Sequence, residues 1–344
     1  MMLPKIFAHS SVLLLSLMIV SGCAELNEYS EEITDYKQRI YTILNVQYLK
    51  APPAAKQFPD TKELKRQLPT VRVDWLDFFS VTECVELQQL LGHRNSQLGR
   101  NMQAESLLHY EKRLSILLAQ CVASIEAPSE KLLAAISAKR TQFSTQIWNN
   151  TWASRYWQKL FSYSNKHRAV GEQEMQALAQ SFADLRKLLT SKQLPDNQQW
   201  FDTFQLIEQS SGLIGSLEAE LVFHIDELQA TTSQLNIHLH SICPNKQPTT
   251  EYQYLKNILN KFYLQDIQKR QVTLLNSFRG IQKELAQWSI YFPKDATGFY
   301  HWYDQSFNID SSNHLEIQLK QAILDHVKTW QKLDQACKPT IDNR

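Results

Sequence analysis

Glycine is scarce in this sequence, eight residues in 344. A turn-rich β-barrel would need more of it, and no phosphate-cradling glycine loop occurs. The signatures of familiar hydrolases and metalloproteins are missing too. There is no Gly-x-Ser-x-Gly, no His-Glu-x-x-His, no Cys-x-x-Cys and no zinc-type cysteine spacing. No motif calls for a cofactor or a metal. An excess of one charge is also lacking: 36 lysines and arginines face 35 acidic residues. That balance argues against nucleic acid as a partner and against broad electrostatic binding to a membrane. Hydrophobic content of 43% nevertheless supports a substantial core.

What is present begins with Leu13–Cys23, an apolar run ending in Val20-Ser21-Gly22-Cys23 after a weak positive start at Lys5. It has the parts of a secretory signal and resembles the lipobox of bacterial lipoproteins. The resemblance implies cleavage before Cys23 and acylation of its thiol and new amine. Residues 1–22 are then a signal peptide and 23–344 a periplasmic helical domain held to a membrane at Cys23. A secreted protein with Cys23 as a passenger is the alternative. Ala24 in the second position implies passage to the outer membrane rather than retention at the inner one. Lys5 leaves with the signal, so the mature chain has as many acidic as basic residues.

Cys84, Cys121, Cys243 and Cys337 remain. Four cysteines in an oxidising compartment read as two disulfides, for which three connectivities exist. Cys84–Cys121 with Cys243–Cys337 is preferred because each pair closes a local subassembly, although helical phase does not set Cys84 directly opposite Cys121. Buried free thiols are the other reading.

Apolar residues recur at helical spacing along most of the chain. The pattern predicts helices over about 26–48, 74–93, 104–124, 128–148, 151–160, 172–191, 197–209, 213–242, 249–288 and 313–336. Pro52-Pro53 is expected to stop the first. Asp60-x-x-Glu63 and Asn313-x-x-Glu316 have the form of capping boxes. Val71–Trp75 alternates briefly and reads as an extended lead, and the aromatic stretch Phe299–Phe307 reads as a lead into the last helix. In the longest pattern Ile267, Leu274, Phe278, Ile281, Leu285 and Trp288 form a helix–helix seam. The expected fold is all-α, an elongated bundle of about eight to nine helices stapled by two disulfides.

Several segments have a familiar order: Tyr36-x-x-Arg39-Ile40, Leu76-Asp77-Phe78, Cys84 followed by Arg94-Asn95-Ser96-x-Leu98-Gly99-Arg100, then Asn150-x-Trp152 and Phe262-Tyr263. Together they resemble a domain-of-unknown-function lipoprotein family of gammaproteobacteria, across most of the mature chain. The resemblance implies an envelope lipoprotein and supplies no activity. Gln103-Ala104-Glu105-Ser106 stands where that family commonly has a proline-serine pair.

Arg94, Asn95, Ser96 and Arg100, with Arg113 on the next helix, are the candidate ligand-binding residues. Two or three guanidiniums with an amide and a hydroxyl suit a carboxylate or phosphate. The structural alternative has the arginines capping carbonyls at a hairpin end or pairing with Asp77 and Glu83. Trp148, Trp152, Tyr156 and Trp157 would stack a saccharide or lipid, or pack as core, which is commoner. His224 would be a general base only if Glu220 or Asp226 oriented it; otherwise it is a core histidine. His238 and His240 point to different helix faces and make a poor metal pair. The expectation is a non-catalytic interaction or scaffold module with an envelope protein partner. The alternative is a ligand-binding or hydrolytic factor acting on an anionic peptidoglycan or lipid fragment at Arg94–Arg100.

Overall fold

Every regular element among the residues described by the computed structural model (31–48, 57–71, 84–126, 128–163 and 170–338) is helical. In chain order these are α1 (Glu31–Ile43), α2 (Thr61–Leu64), α3 (Val85–Asn95), α4 (Gln97–Arg100), α5 (Ala104–Ser124), α6 (Glu130–Asn150), α7 (Arg155–Phe161) and α8 (Glu172–Thr190). Then come α9 (Asn197–Gln209), α10 (Leu213–Ile237), α11 (Leu239–Ile242), α12 (Thr250–Ile258), α13 (Gln268–Gln287), α14 (Thr297–Ser306) and α15 (Leu315–Ala336). A π-helix, Leu259–Ile267, joins α12 to α13. Cys23 and the Val71–Trp75 lead, from Arg72 on, lie outside the described residues.

Local chemistry explains most boundaries. Asp60 accepts hydrogen bonds from the backbone N–H of Lys62 and Glu63 and starts α2. Ser129, Asp196 and Thr249 cap α6, α9 and α12 in the same way. Other expectations need correction. Helix α1 stops at Ile43, well before the prolines, because Asn45 takes a left-handed conformation (φ 52°) and Val46 N–H turns back to the Tyr41 carbonyl at 2.8 Å. Thr151 ends α6 instead of opening α7, whose cap is Ser154. The Asn313 capping box does not form: α15 starts one residue after His314, and Glu316 turns to Arg279 and Lys320. The aromatic stretch after Pro293 is itself a helix, α14. The bundle is thus more finely segmented than eight or nine helices.

Helix α10 is the axis of the main body. From Leu213 to Leu228 nearly every residue is buried, including Glu218, Glu220 and Glu227. A helix with no polar stripe has to be enclosed on all sides, and the three carboxylates reach three different neighbours. Glu218 accepts from Ser306 Oγ (2.5 Å) and Trp302 Nε1 (3.4 Å) of α14. Glu220 takes both arms of Arg270 on α13, at 2.5 and 2.6 Å. Glu227 pairs with Lys37 of α1 at 2.9 Å.

Trp148, Trp152 and Trp157 are fully buried. Trp152 lies 4.7 Å from Trp157 and 5.1 Å from Phe299, centroid to centroid, and Trp148 Nε1 donates to the Leu64 carbonyl at 2.7 Å. These rings are core, and truncating one to alanine would cost about 3–5 kcal/mol.

A second, smaller core gathers Leu87, Tyr110, Leu114, Leu117, Leu132 and Ile136 between α3, α5 and α6. The Cys84–Cys121 disulfide joins α3 to α5 there, with Cα atoms 5.9 Å apart. Cys243–Cys337 ties the segment after α11 to the end of α15 at a Cα separation of 5.1 Å. The preferred pairing is therefore the one formed. Lys112 on α5 donates to the carbonyls of Leu189 (2.7 Å) and Ser191 (2.6 Å), and Trp200 Nε1 donates to the Glu105 carbonyl at 3.1 Å. These bonds dock the smaller core against the end of α8 and the start of α9.

Candidate functional site

The Arg94–Arg100 segment, which falls between two expected helices, is a corner where α3 ends and α4 begins. Ser96 lies between them. Its hydroxyl donates to the His93 carbonyl at 2.7 Å, and its oxygen accepts the Gly99 N–H at 3.1 Å. One side chain thus closes α3 and opens α4. Gly99 is needed for its size: a Cβ there would overlap the His93 carbonyl and come within 2.8 Å of the Arg94 Cα. The close approach lets the Arg94 guanidinium reach the Gly99 carbonyl while lying 5.8 Å from the centre of the Tyr110 ring. Burial and the neighbouring Glu111 raise the Tyr110 hydroxyl pKa, and Arg94 works against them.

The five candidate residues therefore differ in what they have to offer. Arg94 and Ser96 are engaged within the corner. Asn95 and Arg100 face solvent. Arg113 is half-buried on α5, where its charge adds to burial in holding His109 down to about 4. Asp77 and Glu83, the alternative partners for the arginines, lie outside the described residues. An open hollow of about 1020 Å³ lies between α6 and residues 67–71, and a groove of about 290 Å³ separates α8 from α13. Neither includes a residue of the corner.

A second constellation, built on residues not singled out as a site, lies deep in the main body. The Tyr36 hydroxyl is 2.7 Å from Nε2 of His326, and Thr232 Oγ1 is 2.9 Å from Nδ1. Trp330 Nε1 donates to both Tyr36 Oη (3.1 Å) and His326 Nε2 (3.0 Å). Because an indole N–H only donates, Nε2 must accept and Nδ1 carries the proton. Burial holds this ring down to about 3, so it stays neutral. Tyr263, at the centre of the π-helix, packs 4.9 Å from His326 and 5.6 Å from Tyr36. Arg39, one turn along α1, covers Phe262 at 4.4 Å. The Tyr36-x-x-Arg39 and Phe262-Tyr263 segments are thus two sides of one contact, and the His326 partner gave no sequence signal beyond its place in a helical pattern.

His224 is buried, and neither ring nitrogen has a hydrogen-bond partner. Burial, with the nearby Arg270 charge, holds it down to about 3. Glu220 is held by Arg270 and Asp226 faces solvent, so the carboxylate a general base would need is not at its side. His238 Nδ1 lies 3.0 Å from the Gln234 carbonyl, while His240 is exposed. Among the described residues no group of three histidine, cysteine or carboxylate side chains is placed to hold a metal ion. No helix among them is long and apolar enough to cross a membrane.

The family model described as a protein of unknown function (DUF3080) matches residues 33–341. The chain belongs to this family. The matched span takes in both disulfides, the Ser96 corner and the Tyr36–His326 cluster. No curated protein and no solved structure matches the chain.

Proposed function

We propose that this DUF3080 chain is a lipid-anchored helical module on the periplasmic face of the Gram-negative outer membrane, working by binding another envelope protein rather than by catalysis. The observation that carries the reading is how its reactive groups are used. Glu218, Glu220 and Glu227 hold neighbouring helices together, Arg94 closes a corner, and His326 sits in a closed network. The address rests on Val20-Ser21-Gly22-Cys23 and Ala24. Two disulfides support an oxidising compartment. A second reading, an anionic peptidoglycan or lipid fragment bound at Arg94–Arg100, is favoured by the solvent-facing Asn95 and Arg100.

The test has two parts. Growth with an alkynyl palmitate should label the wild type and leave Cys23→Ser unlabelled, with only the wild type in the outer-membrane fraction. A photo-crosslinking residue at Asn95 should then yield a discrete protein adduct. Turnover of a peptidoglycan or lipid fragment that is lost in Arg100→Ala would replace the interaction reading by the second one.

A further inference from the structure

We propose that the groove between α8 and α13 binds a small uncharged polyol, of the size of one or two pyranose rings. The site goes beyond the interaction reading above and does not depend on it.

The groove measures about 290 Å³, at the lower edge of the range for small-ligand sites, about 300–1,000 Å³. Met175, Ala179 and Ala183 of α8 line it together with Ser277 and Gly280 of α13. A stripe of small residues on two packed helices is by itself ordinary close packing. Two observations on α13 do not fit that explanation. Ser277 is only 3% exposed, and its hydroxyl has no hydrogen-bond partner among the described residues. A serine inside a helix can bond the carbonyl four residues back, as Ser181 of α8 does to Ala177 at 3.0 Å. Ser277 does not. A buried hydroxyl without a partner is costly, so its place on the groove wall points to a ligand that supplies one. Gly280 follows three residues later. Glycine is unfavourable in a helix interior, and packing does not require it here: a Cβ would meet nothing within 4 Å. Two positions on one face of α13 thus each forgo a more stable choice, and both open onto the same groove.

The rest of the lining sets the ligand's chemistry. Glu284, at one end, is paired with Arg186 at 3.4 Å, so the charge there is already balanced. Gln176 and Gln180 direct their amide N–H groups to Glu172 (3.4 Å) and Asp184 (2.9 Å) on their own helix. That leaves their carbonyl oxygens as acceptors. Acceptors and one hydroxyl above a floor of methyl groups match a pyranose: its hydroxyls donate, and its C–H face covers Ala179 and Ala183. An anion finds no unpaired cation in this lining. An acyl chain would cover Ser277 and the amide oxygens without bonding them, which is unfavourable.

The experiment uses the full-length protein in a sugar-free detergent and reads saturation-transfer NMR from glucose, galactose, N-acetylglucosamine, maltose and trehalose, with a capped alanine tripeptide as the competing chemistry. The expected result is transfer to at least one sugar and none to the tripeptide. Tighter binding of a disaccharide marks a glycan chain as the source, and tighter binding of a monosaccharide a free sugar. Ser277→Ala should weaken binding about tenfold, the loss of one hydrogen bond, and Gly280→Leu should abolish it by filling the groove. Both variants should unfold at or above the wild-type temperature, because Ser277 gives up no internal hydrogen bond and leucine is the better helix former. The site is overturned by no transfer to any sugar, by transfer to the tripeptide in their place, by binding that survives Gly280→Leu or ignores Ser277→Ala, or by early unfolding of both variants, which would make these residues packing elements.

Discussion

The hydroxyl of Tyr36 meets Nε2 of His326 at 2.7 Å, joining two residues 290 positions apart. The pair links the first described helix to the last, beside the π-helical Tyr263. Tyr36→Phe removes the hydroxyl and leaves the rings in place. Trp330 Nε1 keeps His326 Nε2 but loses its second acceptor. Stability should fall by about 1–3 kcal/mol, the cost of disturbing a buried polar group. A urea midpoint unchanged from wild type would refute the energetic role assigned to this network.

Gly99→Ala tests the corner. The added methyl overlaps the His93 carbonyl, and overpacking of this kind costs about 1–3 kcal/mol. Because the strain falls on α3 and α4, amide exchange should quicken around residues 93–100, while α10 and α15 stay protected. Equal loosening of α10 would show that the smaller core is not separable in this way.

The seam in the longest helical pattern was legible because its residues are the core: Ile267, Leu274, Phe278, Ile281, Leu285 and Trp288 are all fully buried. The π-helix that ends at Ile267 was not, because its buried residues Leu259, Tyr263 and Ile267 recur every four positions, a spacing an α-helix also shows. The polar Arg94–Arg100 segment falls between the helices expected over 74–93 and 104–124, and its polarity hides the helical ends on both sides. The two helical turns form because a single hydroxyl satisfies both ends. The aromatic run Phe299–Phe307 concealed α14 for another reason. Ala296, just before it, offers no side-chain acceptor to cap it, and a dense aromatic sequence packs equally well on extended backbone. His326 and Arg270 lay beyond reach, since their partners come from helices distant in sequence.

The two disulfides should differ in their effects. Cys243–Cys337 spans 94 residues and Cys84–Cys121 spans 37. Each should contribute about 2–4 kcal/mol, and loop-closure entropy gives the longer one about 0.8 kcal/mol more. Replacing both cysteines of a pair by serine and comparing thermal unfolding checks the order. Loss of Cys84–Cys121 should loosen α3 and α5 first, because their core is small. Loss of Cys243–Cys337 should release the end of α15 from the main body.

Lys37 and Glu227 form a buried ion pair with the rings of Tyr41 and Tyr48 beside the ammonium, at 5.4 and 5.3 Å. Removing Lys37 takes its ammonium, 2.9 Å from Glu227, out of a buried site. Lys37→Met alone should therefore cost about 3–5 kcal/mol, while Lys37→Met with Glu227→Leu should recover most of the loss. Additive effects of the two substitutions in a denaturant series would contradict this coupling.

His224 makes the opposite prediction, because it has nothing to lose. Neither nitrogen is hydrogen-bonded, and burial holds the folded-state pKa down to about 3, against about 6.5 for an ordinary imidazole. Between those values the unfolded chain takes up a proton that the folded chain refuses. Lowering the pH through 6.5 toward 3 therefore favours unfolding through this residue, whereas at neutral pH and above its titration contributes no such penalty. His224→Leu removes both the unsatisfied nitrogens and this linkage. The variant should match or exceed the wild type at pH 7.5, since loss of a buried polar group without a partner is worth about 1–3 kcal/mol. Its advantage should widen on going to pH 5. Urea midpoints at the two pH values measure both effects, and an advantage that shrinks on acidification would mean that His224 gains a partner when protonated.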